Sequence, residues 1–299
     1  MTLSGSCPTL ADAGRNWPFR DASRMLRVGR LDWHVQSLGD PEAPVALLVH
    51  GTGAATHSFR GLIPLLSRRY RVIAMDLPGH GFTCGARADD LTLPGMARAL
   101  AGLLRALQVE PALAIGHSAG VAVLIQMALD GAIRPCRIIG FNAALEPIRG
   151  NALLSPLAKL LFANPLTSRL VSFQARIGNM ADNLIKATGS PVDKTGRDCY
   201  HMLLRQPSHV SGALGMMANW RLEPMLARLG GLKTPVTLIA AADDPMVPSS
   251  VSDRAARLMS DGNFIAVPRG GHLLHEADPQ RVCELIEASC APASARSVA

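Results

Sequence analysis

Apolar residues along this chain come in two rhythms. Short unbroken runs such as Val45-Ala46-Leu47-Leu48-Val49 and Leu238-Ile239-Ala240-Ala241 have the length and texture of strands buried on both faces of a parallel sheet. Longer stretches between them place apolar residues every three or four positions, the period of a helix lying on such a sheet. The pattern predicts strands at 24–28 and 31–38 around a Gly29-Arg30 turn, then at 45–49, 70–75, 112–115, 137–142, 236–241 and 263–267. Helices are expected at 57–67, 92–107, 119–129, 251–259 and 279–289. Strand and helix in alternation are the signature of a mostly parallel central sheet with helices on both faces.

The alternation stops between Ala144 and Gly230. This segment is helical in pattern, rich in Leu and Met, and punctuated by Pro147, Pro156, Pro165, Pro191, Pro207 and Pro224. It reads as a helical cap inserted over the strand ends, where open α/β sheets bind ligands. The expected organisation is an N-terminal arm at 1–20, a core made of 21–143 and 231–290, a cap at 144–230 and a flexible tail at 291–299. Within the arm, Trp17-Pro18-Phe19 is the part suited to pack on the body.

The chemistry gathers at strand ends. The 112–115 run leads into Gly116-His117-Ser118-Ala119-Gly120, a G-x-S-x-G nucleophile elbow in which a sharp strand-to-helix turn lifts the serine hydroxyl above the sheet. The 45–49 run ends in His50-Gly51-Thr52-Gly53, a glycine-rich loop able to aim the Thr52 amide at a developing oxyanion. The Ala119 amide, at a helix N-terminus, supplies the second donor. Two further strands end in Asp243-Asp244 and in Gly271-His272. Ser118 needs a base, His272 has the pKa range for one, and an aspartate fixes its tautomer and stabilises the imidazolium. Asp243 competes for that place; Asp244 is preferred because it stands four residues before Pro248, in a D-x-x-V-P spacing. Asp76, also at a strand end, is expected to bond the Pro78-Gly79 turn that follows. Met216, Met217 and Trp220, with Met180 and Met202, suit an adaptable apolar pocket as well as a plain helical core. His117, beside the nucleophile, is a further candidate substrate contact. His201, His209, His275 and Glu276 read as structural.

The remaining composition narrows the picture. Hydrophobic residues make up 48% of the 299 positions and aromatic ones 4%, so the chain folds on a core of aliphatic side chains. The net charge of +7 is spread among scattered arginines, which argues against a nucleic-acid surface and leaves at most peripheral association with an acidic membrane. No apolar run reaches bilayer length and no secretory leader is evident, so a cytoplasmic protein is expected. The six cysteines lack metal-ligand spacing and are expected as free thiols. No metal or cofactor is called for.

These motifs, from His50-Gly51-Thr52-Gly53 through Asp76-Leu77-Pro78-Gly79-His80-Gly81 to the elbow and Gly271-His272, resemble the α/β-hydrolase superfamily. A narrower resemblance, to the magnesium-chelatase accessory hydrolases of bacteriochlorophyll biosynthesis, rests on Trp17-Pro18, on Leu31-Asp32-Trp33-His34-Val35-Gln36 and on Thr56-His57-Ser58. It continues through Ala163-Asn164-Pro165-Leu166, Thr188-Gly189-Ser190-Pro191, His209-Val210, Gly212-Ala213-Leu214 and Met216-Met217-Ala218-Asn219-Trp220. One departure is Ala241, where hydrolases usually carry Gly before the acid turn. The resemblance implies a serine hydrolase acting on an ester or amide of an apolar, tetrapyrrole-related substrate. It also implies transient contact with magnesium chelatase, or alternatively a non-catalytic porphyrin-binding accessory protein whose triad is unused.

Overall fold

The computed structural model describes residues 7–146 and 165–291. Eight strands form one sheet: β1 (Ser23–Val28), β2 (Leu31–Leu38), β3 (Val45–Val49), β4 (Arg71–Met75), β5 (Pro111–His117), β6 (Arg137–Phe141), β7 (Val236–Ala241) and β8 (Gly262–Val267). Their spatial order is β1-β2-β4-β3-β5-β6-β7-β8. β1 and β2 form an antiparallel hairpin edge, β2 runs antiparallel to β4, and every pair from β4 to β8 is parallel.

Alternate residues of the central strands feed two separate cores, as a period of two requires. Leu47, Ala114, Ile138 and Leu238 join Leu100, Val121 and Val251 on one face. Leu48, Ile115, Ile139 and Ile239 join Ile63, Val282 and Ile286 on the other. The first face is covered by α2 (Leu93–Leu107), α3 (Ala119–Leu129) and α9 (Ser249–Leu258); the second by the one-turn α1 (Ile63–Leu66) and α11 (Pro279–Cys290). Between β6 and β7 the described chain is helical: α4 (Pro165–Ile177), α5 (Met180–Ala187), α6 (Lys194–Leu204), α7 (Pro207–Asn219) and the short α8 (Glu223–Leu226). Leu274–Ala277 forms a further short helix, α10. Pro147, Pro156, Ala163-Asn164 and all but the first residue of the expected tail lie outside the described residues.

Two expectations are corrected, the helix at 57–67 and the six free thiols. The helix expected at 57–67 is a 3-10 turn, Thr56–Phe59, followed by α1 alone. Pro64 has no amide hydrogen to give to a preceding carbonyl, so it sits in the first turn and a helix cannot run through it. In the arm, Trp17 does pack on the body: it is only 4% exposed, its Nε1 donates to Thr56 Oγ1 at 3.0 Å, and its ring packs against His57 and Phe82. The six cysteines are not all thiols, because Cys7 and Cys84 are joined as a disulfide that ties this arm to the loop after β4. Their separation of 77 residues left no spacing motif to read.

Candidate active site

Ser118 joins β5 to α3 with φ 50° and ψ −119°, a backbone conformation costing about 1–3 kcal/mol for a residue with a side chain. Its amide donates to Phe141 O at 2.9 Å, so neighbouring β6 holds the turn in place. The helix can start so close to β3 only because position 120 is glycine: a Cβ there would lie 2.3 Å from Val49 O. The hydroxyl that results points at His272, whose Nε2 is 3.2 Å from Ser118 Oγ. The other ring nitrogen, Nδ1, is 2.8 Å from Asp244 Oδ2. Ser118, His272 and Asp244 are all buried.

Asp244 is fully engaged. Oδ1 accepts the Met246 and Val247 amides at 2.8 and 3.0 Å, and Oδ2 accepts Asn142 Nδ2 at 2.7 Å as well as the imidazole. Burial by itself pushes this carboxyl up, but the hydrogen bond and charge of His272, with the Val247 and Asn142 donors, outweigh it and hold it below the usual carboxylate range. Asp243 is turned elsewhere, and its carboxylate accepts the Gly271 and Gly270 amides at 2.9 and 3.3 Å. The two adjacent acids thus divide the work, one orienting the imidazole and the other shaping the loop that carries it.

Gly51 lies directly against Ser118, since a Cβ on Gly51 would be 2.9 Å from that of the serine. Of the four residues expected to contact substrate, Met216 is buried with its Sδ 3.2 Å from Thr52 Oγ1. Met217 is 45% exposed, and Trp220 packs against the core. His117 is buried beside the imidazole, donating from Nε2 to His272 O at 2.9 Å and packing at a tilt against the His275 ring. It therefore backs the His272 main chain and does not face a substrate.

A model of the alpha/beta hydrolase family matches residues 46–285, a span holding the whole of this arrangement. The chain belongs to the alpha/beta hydrolase family. It is 43% identical over 267 residues to the magnesium-chelatase 30 kDa subunit of Rhodobacter capsulatus, covering 87% of this chain and 92% of that one. Solved structures share the fold at lower identity. An alpha/beta hydrolase fold protein from Burkholderia ambifaria superposes with a TM-score of 0.72 at 21% identity, covering 88% of this chain and 98% of that one. A thermophilic esterase from Thermogutta terrifontis gives 0.68 at 20%, covering 89% and 96%.

In this member of the family the helical segment between β6 and β7 touches the site loops through a few residues whose sequence context marks them as structural or says nothing of them. Thr188 O accepts the His272 amide at 2.8 Å, while Ser190 Oγ donates to Gly270 O at 2.7 Å and accepts the Leu273 amide at 2.8 Å. On α7, His209 Nδ1 accepts the Gly81 amide at 3.0 Å, so its proton is on Nε2, which donates to Gly53 O at 3.2 Å. Burial drives this imidazole down to about 4 against the pull of the Gly53 bond. His50 is neutral by the same logic: Nε2 accepts the Leu77 amide at 2.9 Å and Nδ1 donates to Gly51 O at 2.8 Å. Two uncharged histidines thus pin the His50–Gly53 loop, His50 to the chain after β4 and His209 to α7. One turn along α7, Gly212 meets the Pro78-Gly79 turn so closely that a Cβ would fall 1.9 Å from Gly79 O.

Two further buried centres lie near the site. Asp76 accepts the Phe82 amide beyond the Pro78-Gly79 turn, as expected, and also the Thr56 amide and His34 Nδ1, at 2.9, 2.8 and 2.7 Å. Burial opposes its charge, but His34 and these amides hold its carboxyl well below the usual range. Glu276 is buried and paired with Arg60, and accepts Tyr200 Oη from α6 at 2.7 Å. Asn142, absent from the expected site, is the residue that bears most directly on Asp244. It is the first residue after β6, at a strand end beside the one that carries the acid after β7.

Proposed function

We propose that this protein is a serine hydrolase cleaving an ester or amide of an apolar, tetrapyrrole-related substrate at the magnesium-chelation step of bacteriochlorophyll synthesis. The observation that carries the chemistry is the unbroken relay from Ser118 Oγ through the His272 ring to Asp244, at 3.2 and 2.8 Å. Ser118 Oγ attacks the carbonyl carbon while His272 Nε2 takes its proton. Charge moves to the carbonyl oxygen, where the Thr52 and Ala119 amides receive it; one such donor is worth about 2.7–4 kcal/mol in the transition state. Collapse expels the alcohol or amine, which leaves with the proton from His272 and an acyl group on Ser118. Water, deprotonated by the same imidazole, then releases the carboxylic acid and restores the serine. Asp244 remains ionised throughout.

Residues 144–230 serve in this reading as the cap that selects the substrate. Met216 against Thr52 supports an apolar group beside the oxyanion site. The pigment context is supported by the name of the Rhodobacter capsulatus relative. That name also favours a second reading, an accessory protein that touches the chelatase and leaves its triad unused. A fluorophosphonate probe separates the two: labelling of the pure protein at Ser118, abolished in Ser118→Ala, is expected. An unlabelled protein, or pigment synthesis fully supported by Ser118→Ala, would establish the accessory reading instead.

A further inference from the structure

α4 is built inside out. It turns the small side chains of Ser168, Ser172 and Ala175 toward the protein, at 3%, 1% and 2% exposure, and packs on α7. Leu170, Phe173 and Ile177, spaced three and four residues apart on the opposite side, are 58%, 58% and 73% exposed. A helix resting on a protein in water has the reverse arrangement, so this face is made to meet something other than water. Helical geometry puts Arg169 and Arg176, both exposed, along one flank of the apolar stripe. The sequence has no Asp or Glu between Glu146 and Asp182, an interval that carries Arg149, Lys159, Arg169 and Arg176.

An apolar stripe edged by long cationic side chains, in a stretch of chain without acids, has the chemistry of a helix lying in a lipid interface. We propose that α4 docks this protein on an anionic bilayer surface. Leu170, Phe173 and Ile177 enter the boundary between headgroups and acyl chains, and Arg169 and Arg176 reach back to lipid phosphates. The docked face is then one helix away from the candidate site, because α4 rests on α7 and α7 carries Met216 to Thr52. An apolar substrate dissolved in the membrane would be presented from this side. That last consequence rests on the hydrolase reading; the docking does not.

Flotation of the full chain with vesicles tests it. Vesicles of phosphatidylcholine with about one third phosphatidylglycerol should bind at least about tenfold more protein than phosphatidylcholine alone, and half-molar salt should erase most of the difference. Leu170→Ser with Phe173→Ser and Ile177→Ser should abolish flotation while leaving the circular dichroism unchanged, and Arg169→Glu with Arg176→Glu should abolish the preference for anionic lipid. Ser118→Ala should float like the parent, which keeps this proposal separate from the catalytic one. The proposal is overturned if the parent floats with neither vesicle or if the triple serine variant floats equally well. It is also overturned if the serine changes break up a dimer seen by light scattering, or binding to purified magnesium-chelatase subunits, without altering binding to vesicles.

Discussion

The side-chain amide of Asn142 donates to the same Asp244 oxygen, Oδ2, that accepts from His272, at 2.7 Å against 2.8 Å. The amide therefore fixes which oxygen faces the imidazole, and it reaches Gly271 O at 3.3 Å as well. Asn142 has φ 46°, a left-handed conformation that asparagine tolerates better than most residues. Removing a hydrogen bond to a charged group costs about 1.5–3 kcal/mol, so Asn142→Gly, which relieves the backbone while deleting the amide, should slow fluorophosphonate labelling of Ser118 about tenfold or more. Asn142→Ala should be slower to label by a similar factor and less stable than Asn142→Gly. Equal labelling by parent and glycine variant would remove Asn142 from the site.

Acid should weaken the fold through histidines held neutral. Burial lowers His209 to about 4 and His275 to about 3, from an ordinary 6.5. Between those values and 6.5 the unfolded chain binds protons that the folded chain refuses, so stability is full above pH 6.5 and declines as pH falls toward 4. His209 alone accounts for roughly 3 kcal/mol over that window. Melting temperatures measured from pH 8 to pH 4 should fall below pH 6.5, and His209→Gln, which can still donate to Gly53 O but does not titrate, should give a shallower slope.

The Cys7–Cys84 bond and Trp17 make the arm part of the fold. Thiol titration of the denatured, unreduced protein should count four groups, from Cys136, Cys199, Cys283 and Cys290, and six after reduction. Closing a loop of 77 residues is worth about 4.5 kcal/mol in the chain-entropy account, so reduction should lower the melting temperature visibly. Trp17→Ala, which empties a buried site, should cost about 3–5 kcal/mol in urea unfolding.

Much of this is legible in the sequence because local rules and the fold agree. β3 and β7 announce themselves as unbroken apolar runs, and Ser118 and His272 sit where such runs stop. What is not legible depends on contacts across the chain. Asn142 meets Asp244 over 102 residues, and Arg60 meets Glu276 over 216; no spacing rule joins them. The expectation for His117 fails for a related reason. Adjacency to the nucleophile in sequence says nothing of direction, and successive side chains at a strand end point to opposite sides.

Hydrogen bonds from Thr188 and Ser190 bind the chain between α5 and α6 to the His272 loop. The segment that ties these helices to the strand-end loops is the same one that holds the His272 main chain. In the proposed reaction, a substrate large enough to lever those helices aside would loosen His272 as it entered, leaving Ser118 unassisted until the helices settled back. Admission and reaction would then be successive states of one latch, and a bulky guest could be received without being cut before the latch had closed behind it.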